Sequence, residues 1–396
     1  MQPLRTTGHD VTEPGAGGGL NGAAARPRVC FIATGLARGG AEVQLFRAAS
    51  GLRARGFDVQ TICMLSADYF GARLEEAGIS VTYLHASRTT NPLSILMRFL
   101  RCIRKERPTV LAGFDYPGSM LARVGGAIAR IPVVICSIRS ENIGGTLRRL
   151  ALTLTDPLAM TTTNSHAVAE KLVNARAASR RRMRVIPNGI DFKIVGPHLR
   201  QGRSALRRAL HVQDDEFLWV AVGNLEAPKD YPNLLHAVAA LGTAGRRFKV
   251  LIAGKGPLRH ALEQQMVSLG LEGTVRFLGF RGDGPACMAA ADATVLASAW
   301  EGLPNVMIES LAVGTPVVCT DVGGVREIVK HGESGFVVPP RDPHALAGGM
   351  WSLMARSAKR RHAMGLTGRH HVERHFALDR VVDQWSGLVY ELVGAS

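Results

Sequence analysis

Two glutamates, Glu301 and Glu309, flank a turn that a glycine and a proline punctuate, Gly302-Leu303-Pro304-Asn305. Pro304 lacks an N–H and suits a position at or just before the first turn of a helix. A helix starting near Asn305 points its free N–H groups and its positive dipole end back at that turn, and such a tip holds a diphosphate. Glu301 then lies in the loop and Glu309 about one turn inside the helix. The two carboxylates are placed to accept hydrogen bonds from hydroxyls on opposite sides of a diphosphate, one from a sugar and one from a ribose. A general acid/base pair is the competing reading, although nothing in the spacing brings both onto one reacting atom. On spacing alone, a capped helix with an acidic first turn also fits.

Lys229 follows the apolar run FLWVAVGNL, in the loop before a helical pattern that starts near Tyr231. A cation there offsets charge that grows on a diphosphate as a glycosidic bond breaks, whereas the plain alternative is an exposed loop lysine. Gly254-Lys255-Gly256-Pro257 joins another strand to a helix and is a further candidate for lining a cleft. Gly35-Leu36-Ala37-Arg38-Gly39-Gly40-Ala41-Glu42 joins the first strand to the first helix, and Gly39 and Gly40 permit close backbone approach. It fails as a dinucleotide fingerprint, because the spacing is not G-x-G-x-x-G and no acidic residue follows a second strand at the required distance. The chain has no D-x-D, no H-E-x-x-H and no His/Cys cluster. No metal and no cofactor is therefore expected, and lysine with helix dipoles would supply the positive charge.

Two alternating series of strands and helices must position these residues. Strand-like runs occur at 28–34, 57–65, 79–84, 109–112, 132–138, 159–163 and 183–186, the first followed by a helical pattern from Ala41 to about Arg55. A second series has runs at 217–223, 248–253, 274–277, 293–297 and 316–319, then helix from about 342 onward. Apolar strands alternating with amphipathic helices predict parallel sheets covered on both faces. The chain of 396 residues is too long for one ordinary core. The predicted fold is α/β, two facing Rossmann-like domains, with ligands at the carboxyl ends of the strands. Residues 1–26 lack an apolar h-region and read as a disordered tail, not a signal peptide. The first domain is assigned to 27–195 and the second to 196–377, with a last helical stretch in 378–396. The connector Asp191–His198, with its Gly196 and Pro197, shows no clear period. Every apolar stretch is interrupted by Arg, Lys, Asp or Pro, which predicts no membrane span. Six scattered cysteines without a C-x-x-C pair read as buried reduced thiols of a cytoplasmic protein.

Taken together, these motifs resemble the family 4 retaining glycosyltransferases of GT-B architecture, from about residue 28 to the end. Glu301 through Glu309 is similar to that family's E-x7-E motif, within EGLPNVMIESLAVGTPVV. Ile186-Pro187-Asn188-Gly189-Ile190-Asp191 is similar to its I-P-N-G-I/V-D signature. Asn164-Ser165 before a helix, and Gly39-Gly40-Ala41-Glu42, match two further elements. The resemblance implies a nucleotide-sugar donor, with Glu309 on the ribose and the amides after Gly302, including Leu303 and Asn305, on the β-phosphate. It implies Glu301 near the transferred sugar, Lys229 on the diphosphate, and a last helix near 378–394 that crosses back onto the first domain. It also implies a front-face route in which the leaving phosphate oxygen helps deprotonate the acceptor. Two positions depart from the pattern. Asn224 stands where an arginine is common in the donor cleft, and Arg139 where many members carry a histidine. Arginine is no base at neutral pH, but it can hold a phosphate or carboxylate. Lys255 or Arg38 could restore the charge missing at Asn224. VGNLEAPKDYPNLL and SIRSEN are similar to the branch that builds bacterial capsular and exopolysaccharide repeats.

Residues 1–200 hold 27 Lys and Arg against 13 Asp and Glu, so nearly all of the net charge of +16 lies in the first half. Only that half is expected to face an anionic partner. Pro92 to Arg107 reads as an amphipathic helix, with Leu96, Phe99, Leu100 and Ile103 on the apolar stripe and Arg98, Arg101 and Lys105 on another face. It fits either an anionic leaflet or a core-packed helix with a solvated basic face. The expected partners are thus a nucleotide-sugar donor, a lipid-linked or glycan acceptor and the anionic inner face of the plasma membrane. Aromatic content of 6% without a recognition motif argues against nucleic acid. A non-hydrolysing epimerase and a catalytically silent scaffold of the same architecture are the remaining alternatives.

Overall fold

The computed structural model describes residues 26–87, 89–200, 203–242 and 247–395, the side chains of 197–200 excepted. The expected tail, up to residue 25, lies outside the described residues.

From β1 (Arg28–Ala33) the chain passes through α1 (Gly40–Ala54), β2 (Asp58–Cys63), α2 (Tyr69–Glu76), β3 (Ser80–Tyr83) and α3 (Pro92–Glu106). It continues with β4 (Val110–Phe114), α4 (Asp115–Ala129), β5 (Val133–Ile138), α5 (Thr146–Thr155), β6 (Met160–Thr163), α6 (His166–Asn174) and β7 (Met183–Val185). These strands form one parallel sheet in the order β3-β2-β1-β4-β5-β6-β7. Its two faces follow from the alternation along β1. Val29, Phe31 and Ala33 pack with Leu45 and Leu52 of α1, while Cys30 and Ile32 pack with Phe99, Leu100 and Ile103 of α3 and Ala122 of α4. Helices start where short polar side chains accept from free N–H groups. Asp68 caps α2, Asn91 caps α3 with Pro92 behind it, and Ser165 caps α6.

The second unit opens with α7 (Phe192–Arg200), α8 (Arg203–Ala209), β8 (Phe217–Val222), α9 (Tyr231–Leu241), β9 (Phe248–Ala253) and α10 (Arg259–Ser268). Next come β10 (Val275–Gly279), α11 (Gly284–Ala290), β11 (Ala293–Leu296), α12 (Asn305–Ala312), β12 (Val317–Thr320), α13 (Val325–Ile328) and β13 (Gly335–Val338). The chain closes on α14 (Pro343–Met354), α15 (Ala358–Phe376) and α16 (Leu378–Gly394). This sheet is also parallel, ordered β10-β9-β8-β11-β12-β13. The architecture is GT-B: two parallel-sheet Rossmann-like units, each with its strand order reversing beside the first strand, where a crevice opens.

Two local readings of the sequence need correction. The stretch taken as an aperiodic connector is helical from Phe192, where Asp191 accepts from the Lys193 N–H at 2.8 Å. Val195 is buried among Met288, Leu303 and Val306 of the second unit. Packing on that unit overrides the local signals of Gly196 and Pro197. The edge strand β13, missed in the sequence, pairs with β12; it opens on Gly335 and is cut off by Pro339, so only three apolar residues stand in a row.

The return crossing is built beside the outgoing one. Ile190 donates to the Phe376 carbonyl at 2.8 Å, and Leu378 donates to the Ile190 carbonyl at 2.9 Å. α16 then lays Val381, Val382, Trp385, Leu388 and Val389 into the core of the first unit, each worth roughly 1.5–3 kcal/mol when fully buried. Gly51 on α1 makes room for it, since a Cβ there would sit 2.3 Å from Val382. All six cysteines are reduced; five are buried and Cys102 is half-buried. Among the described residues no helix is long and apolar enough to cross a membrane.

Candidate active site

The two units enclose a cleft of about 590 Å³. Its floor is the tip of α12. Pro304 occupies the N-cap position in an extended conformation and supplies no side-chain cap, so the first N–H groups of α12 open toward the cleft. Gly302 can lie here only because it has no side chain. A Cβ would stand 1.9 Å from the Arg139 carbonyl oxygen and 2.9 Å from Asn164 Nδ2, both from the opposite unit. Ser165, which caps α6, also reaches across to donate to the Gly302 carbonyl at 3.4 Å.

On one side of the tip Lys229 Nζ lies 2.5 Å from Glu301 Oε1. Both groups are mostly buried, and Ser298 Oγ donates to the same carboxylate oxygen at 2.8 Å. Two loops are laced together to hold them, for the Ala299 N–H donates to the Pro228 carbonyl at 2.8 Å. The Tyr231 hydroxyl adds a bond to the Gly223 carbonyl at 3.1 Å. Glu141 reaches in from the first unit, accepting from the Glu301 N–H at 3.2 Å and pairing with Lys171 at 3.0 Å.

On the other side Glu309 faces Arg47 of α1 at 4.0 Å. Burial pushes the Glu309 carboxyl above its usual range, and Arg47 pulls it partly back. Burial likewise lowers the Arg47 pKa, against the pull of Glu309 and Asp191. Arg47 also donates to the Gly189 carbonyl at 2.6 Å. A polar lattice joins the units at this point. Asn305 donates to the Gly40 carbonyl at 3.1 Å and accepts from Gln44 at 3.0 Å and Asn188 at 2.6 Å. Asn188 donates to the Leu303 carbonyl at 2.7 Å as well. The asparagine of the I-P-N-G segment therefore sets the position of the α12 tip.

Arg139 is held by Ser137 Oγ at 3.2 Å, by the side-chain Oδ1 of Asn188, and over the Phe114 ring at 5.4 Å. Burial lowers its pKa to about 10, against the opposing pull of Asp115. It stays cationic at neutral pH and cannot act as a base there. Asp115 sits at the end of β4 with φ +57°, an uncommon backbone state for a non-glycine residue. Burial raises its carboxyl, with Arg139 opposing. Glu42 of α1, behind the cleft lining, is pushed up to about 7 by burial, with Asp115 and Asp68 adding to the rise. A cation and a protonatable carboxyl opposite a diphosphate cradle suit a hydroxyl-bearing acceptor.

The cleft thus brings together Gly39, Gly40, Arg139, Asn224, Lys229, Glu301, Gly302, Leu303, Asn305 and Glu309. Gly254 and Gly256 are not in its lining. They pack under it, where a Cβ would stand 1.9 Å from the Gly223 carbonyl oxygen or 2.4 Å from that of Leu225. Asn224 is exposed and turns to Glu226 at 3.4 Å. Arg38 lies 4.7 Å from the Phe280 ring and Lys255 5.8 Å from it, so both cations named as substitutes share one aromatic at the cleft rim. Arg47, Gln44, Asp115 and Glu141 were missed in the sequence. Only Gln44 and Arg47 carried a signal, since they follow Gly40 at helical spacing and so share one face of α1.

Two family models match successive parts of the chain: one described as Glycosyltransferase Family 4 over residues 38–193, and one described as Glycosyl transferases group 1 over residues 202–371. The chain is 34% identical over 191 residues to a glycosyltransferase of Methanocaldococcus jannaschii, covering 48% of this chain and 49% of that one. It is 29% identical to the N-acetylgalactosamine-N,N'-diacetylbacillosaminyl-diphospho-undecaprenol 4-alpha-N-acetylgalactosaminyltransferase of Campylobacter jejuni, covering 60% and 63%. With the putative glycosyltransferase EpsF of Bacillus subtilis the identity is 27%, covering 74% and 79%. The chain therefore spans about half to three-fifths of the length of the first of these relatives. Among solved structures, that of HepE from Anabaena in complex with UDP superposes with a TM-score of 0.80 at 22% identity, over 92% of this chain and 100% of that one.

Proposed function

The chain belongs to glycosyltransferase family 4, and from that premise we propose that it transfers a sugar from a nucleotide diphosphate donor to a lipid-linked or polysaccharide-precursor acceptor, without metal and with retention. The observation that carries this reading is the uncapped tip of α12, flanked by Lys229 with Glu301 on one side and Glu309 with Arg47 on the other. A diphosphate seated on the tip meets helix N–H groups, and Lys229 stands beside it to take up charge as the bond to the sugar breaks. Glu309 accepts from the ribose and Glu301 from the sugar. Glu301 and Glu309, the two carboxylates nearest the tip, are both assigned to donor hydroxyls in this reading, which leaves neither in the role of nucleophile for a covalent intermediate. That favours a route in which the leaving phosphate oxygen takes the acceptor proton on the same face of the sugar.

A UDP-sugar is the favoured donor, with GDP-mannose as the alternative; HepE, of the same fold, was solved with UDP and with UDP-glucose. An acceptor on a lipid diphosphate parallels the C. jejuni relative's name and agrees with the basic first half of the chain, which would face the anionic inner leaflet of the plasma membrane.

The test is nucleotide release and transfer with a panel of UDP-sugars and GDP-mannose, with and without a chelator, and NMR of the product's anomeric configuration. Chelator-insensitive turnover with retained configuration is expected. Loss of turnover on chelation, an inverted product, or no release from any donor would refute the corresponding part of the reading.

A further inference from the structure

We propose that the outer face of α5 is a membrane-docking surface that inserts leucines into an anionic bilayer. The inference rests on the reading of a lipid-linked acceptor given above and names the surface that would bring the enzyme to it.

The helix is inside out. Leu147 is 83%, Leu154 69% and Leu150 51% exposed, and at helical spacing these three fall on one stripe. Leu152 is the one buried residue of α5. A helix that packs on a domain ordinarily turns its leucines inward, and three on one outward stripe is a patch that calls for a cover. The orientation is fixed from beneath. Arg123 of α4, fully buried, donates to the Leu152 carbonyl at 3.1 Å and to Thr155 Oγ1 at 3.0 Å. Turning the leucines inward would break those bonds.

Charge selects the occupant. Arg148 and Arg149 lie beside the stripe and are exposed. Between residues 92 and 155 there are ten Lys and Arg against three Asp and Glu, and of those three Asp115 and Glu141 belong to the cleft. α5 packs beside α4, and α4 beside α3, on the same face of the sheet. Exposed Ile128 and Val124 of α4 and Leu93 and Met97 of α3 extend the apolar surface, with Arg101 and Arg104 exposed on α3. Leucines ringed by arginines match the boundary between acyl chains and anionic headgroups. The stripe expected on α3 from the sequence is not the one that docks, since Phe99, Leu100 and Ile103 are in the core. Position also fits. The loop from Arg139, at the cleft wall, runs directly into α5, so docking there sets the acceptor side of the cleft next to the bilayer.

The experiment is sedimentation of the full chain with vesicles of phosphatidylcholine alone and of phosphatidylcholine with phosphatidylglycerol, without donor or acceptor. Wild type should pellet with the anionic vesicles only, and less as salt rises. The triple variant Leu147→Gln, Leu150→Gln, Leu154→Gln should lose about a hundredfold or more of that partitioning. It should keep its melting temperature and its nucleotide binding, because the leucines touch neither core nor cleft. Arg148→Gln with Arg149→Gln should lose the preference for the anionic lipid. Wild type that stays in the supernatant, or a leucine variant that pellets like wild type, overturns the proposal. So does a wild-type dimer that the leucine changes convert to monomer while vesicle binding is unmoved, which would make the patch a contact between copies. Nucleotide binding in the same samples reports separately on the transferase reading.

Discussion

Glu309 and Arg47 face each other at 4.0 Å across the boundary between the two units, both largely withdrawn from water. Burial pushes the Glu309 carboxyl up, and the cation on the opposite wall opposes that rise. The pair joins α1 of the first unit to α12 of the second, so on the proposed reading donor binding depends on the relative position of the units.

Replacing Glu309 by Ala should weaken nucleotide binding roughly ten- to a hundredfold, the worth of hydrogen bonds to a charged group. Arg47→Met removes the charge that opposes the burial-driven rise of the Glu309 carboxyl. Its pKa then moves higher still, and the acid limb of the pH profile of nucleotide affinity shifts to higher pH. Titration calorimetry across pH checks this. Arg47→Lys should restore the limb, and an unmoved limb in Arg47→Met would exclude the coupling.

Lys229→Ala should lower the turnover number by about a hundred- to a thousandfold, with a smaller change in the donor KM, since the ammonium acts most on charge that develops in the transition state. The variant also frees Glu301 from its 2.5 Å partner. Steady-state kinetics with varied donor separate the two constants. A rise in KM alone would demote Lys229 to a binding residue.

Gly302→Ala forces a methyl group to within 1.9 Å of the Arg139 carbonyl oxygen, so the α12 tip and the opposite wall must part. Transfer should fall by about a hundredfold or more, because misplacement of this order costs that much. Gly145→Ala, whose Cβ meets nothing within 4 Å, serves as the matched control and should behave as wild type. Equal activity in both variants would mean the tip does not need the close approach.

Folding holds the Glu42 proton up to about pH 7, whereas the exposed side chain loses it near 4.5. The native state therefore binds more protons between these values. The contribution of Glu42 to stability is fullest below the lower value and falls as pH rises through the higher one, by on the order of 3 kcal/mol. Glu42→Gln should remove this slope. Melting curves at about pH 5 and about pH 8 test it: wild type should lose melting temperature relative to the variant at the higher pH. A parallel response of both proteins would rule out Glu42 as the source.

Much of the donor side was open to reading in the chain itself. Glu301, Gly302, Pro304, Asn305 and Glu309 are local to one strand-turn-helix, and local geometry follows from residue type and spacing: a proline at a helix start, a glycine in a turn, one carboxylate in the loop and one about a turn inside the helix. The alternation of apolar strands and helices likewise specified two parallel sheets, because a strand buried on both faces has to read as a continuous apolar run. What the linear order left undetermined was every pairing across the cleft. Arg47 meets Glu309, Asn188 meets Leu303 and Asn305, and Glu141 meets the Glu301 amide through contacts between residues more than a hundred positions apart, for which periodicity carries no information. The outward leucines of α5 show the same limit from the other side. Their spacing marks an amphipathic helix, but which face turns to water was settled by the buried Arg123 beneath it, and only packing in three dimensions decides that.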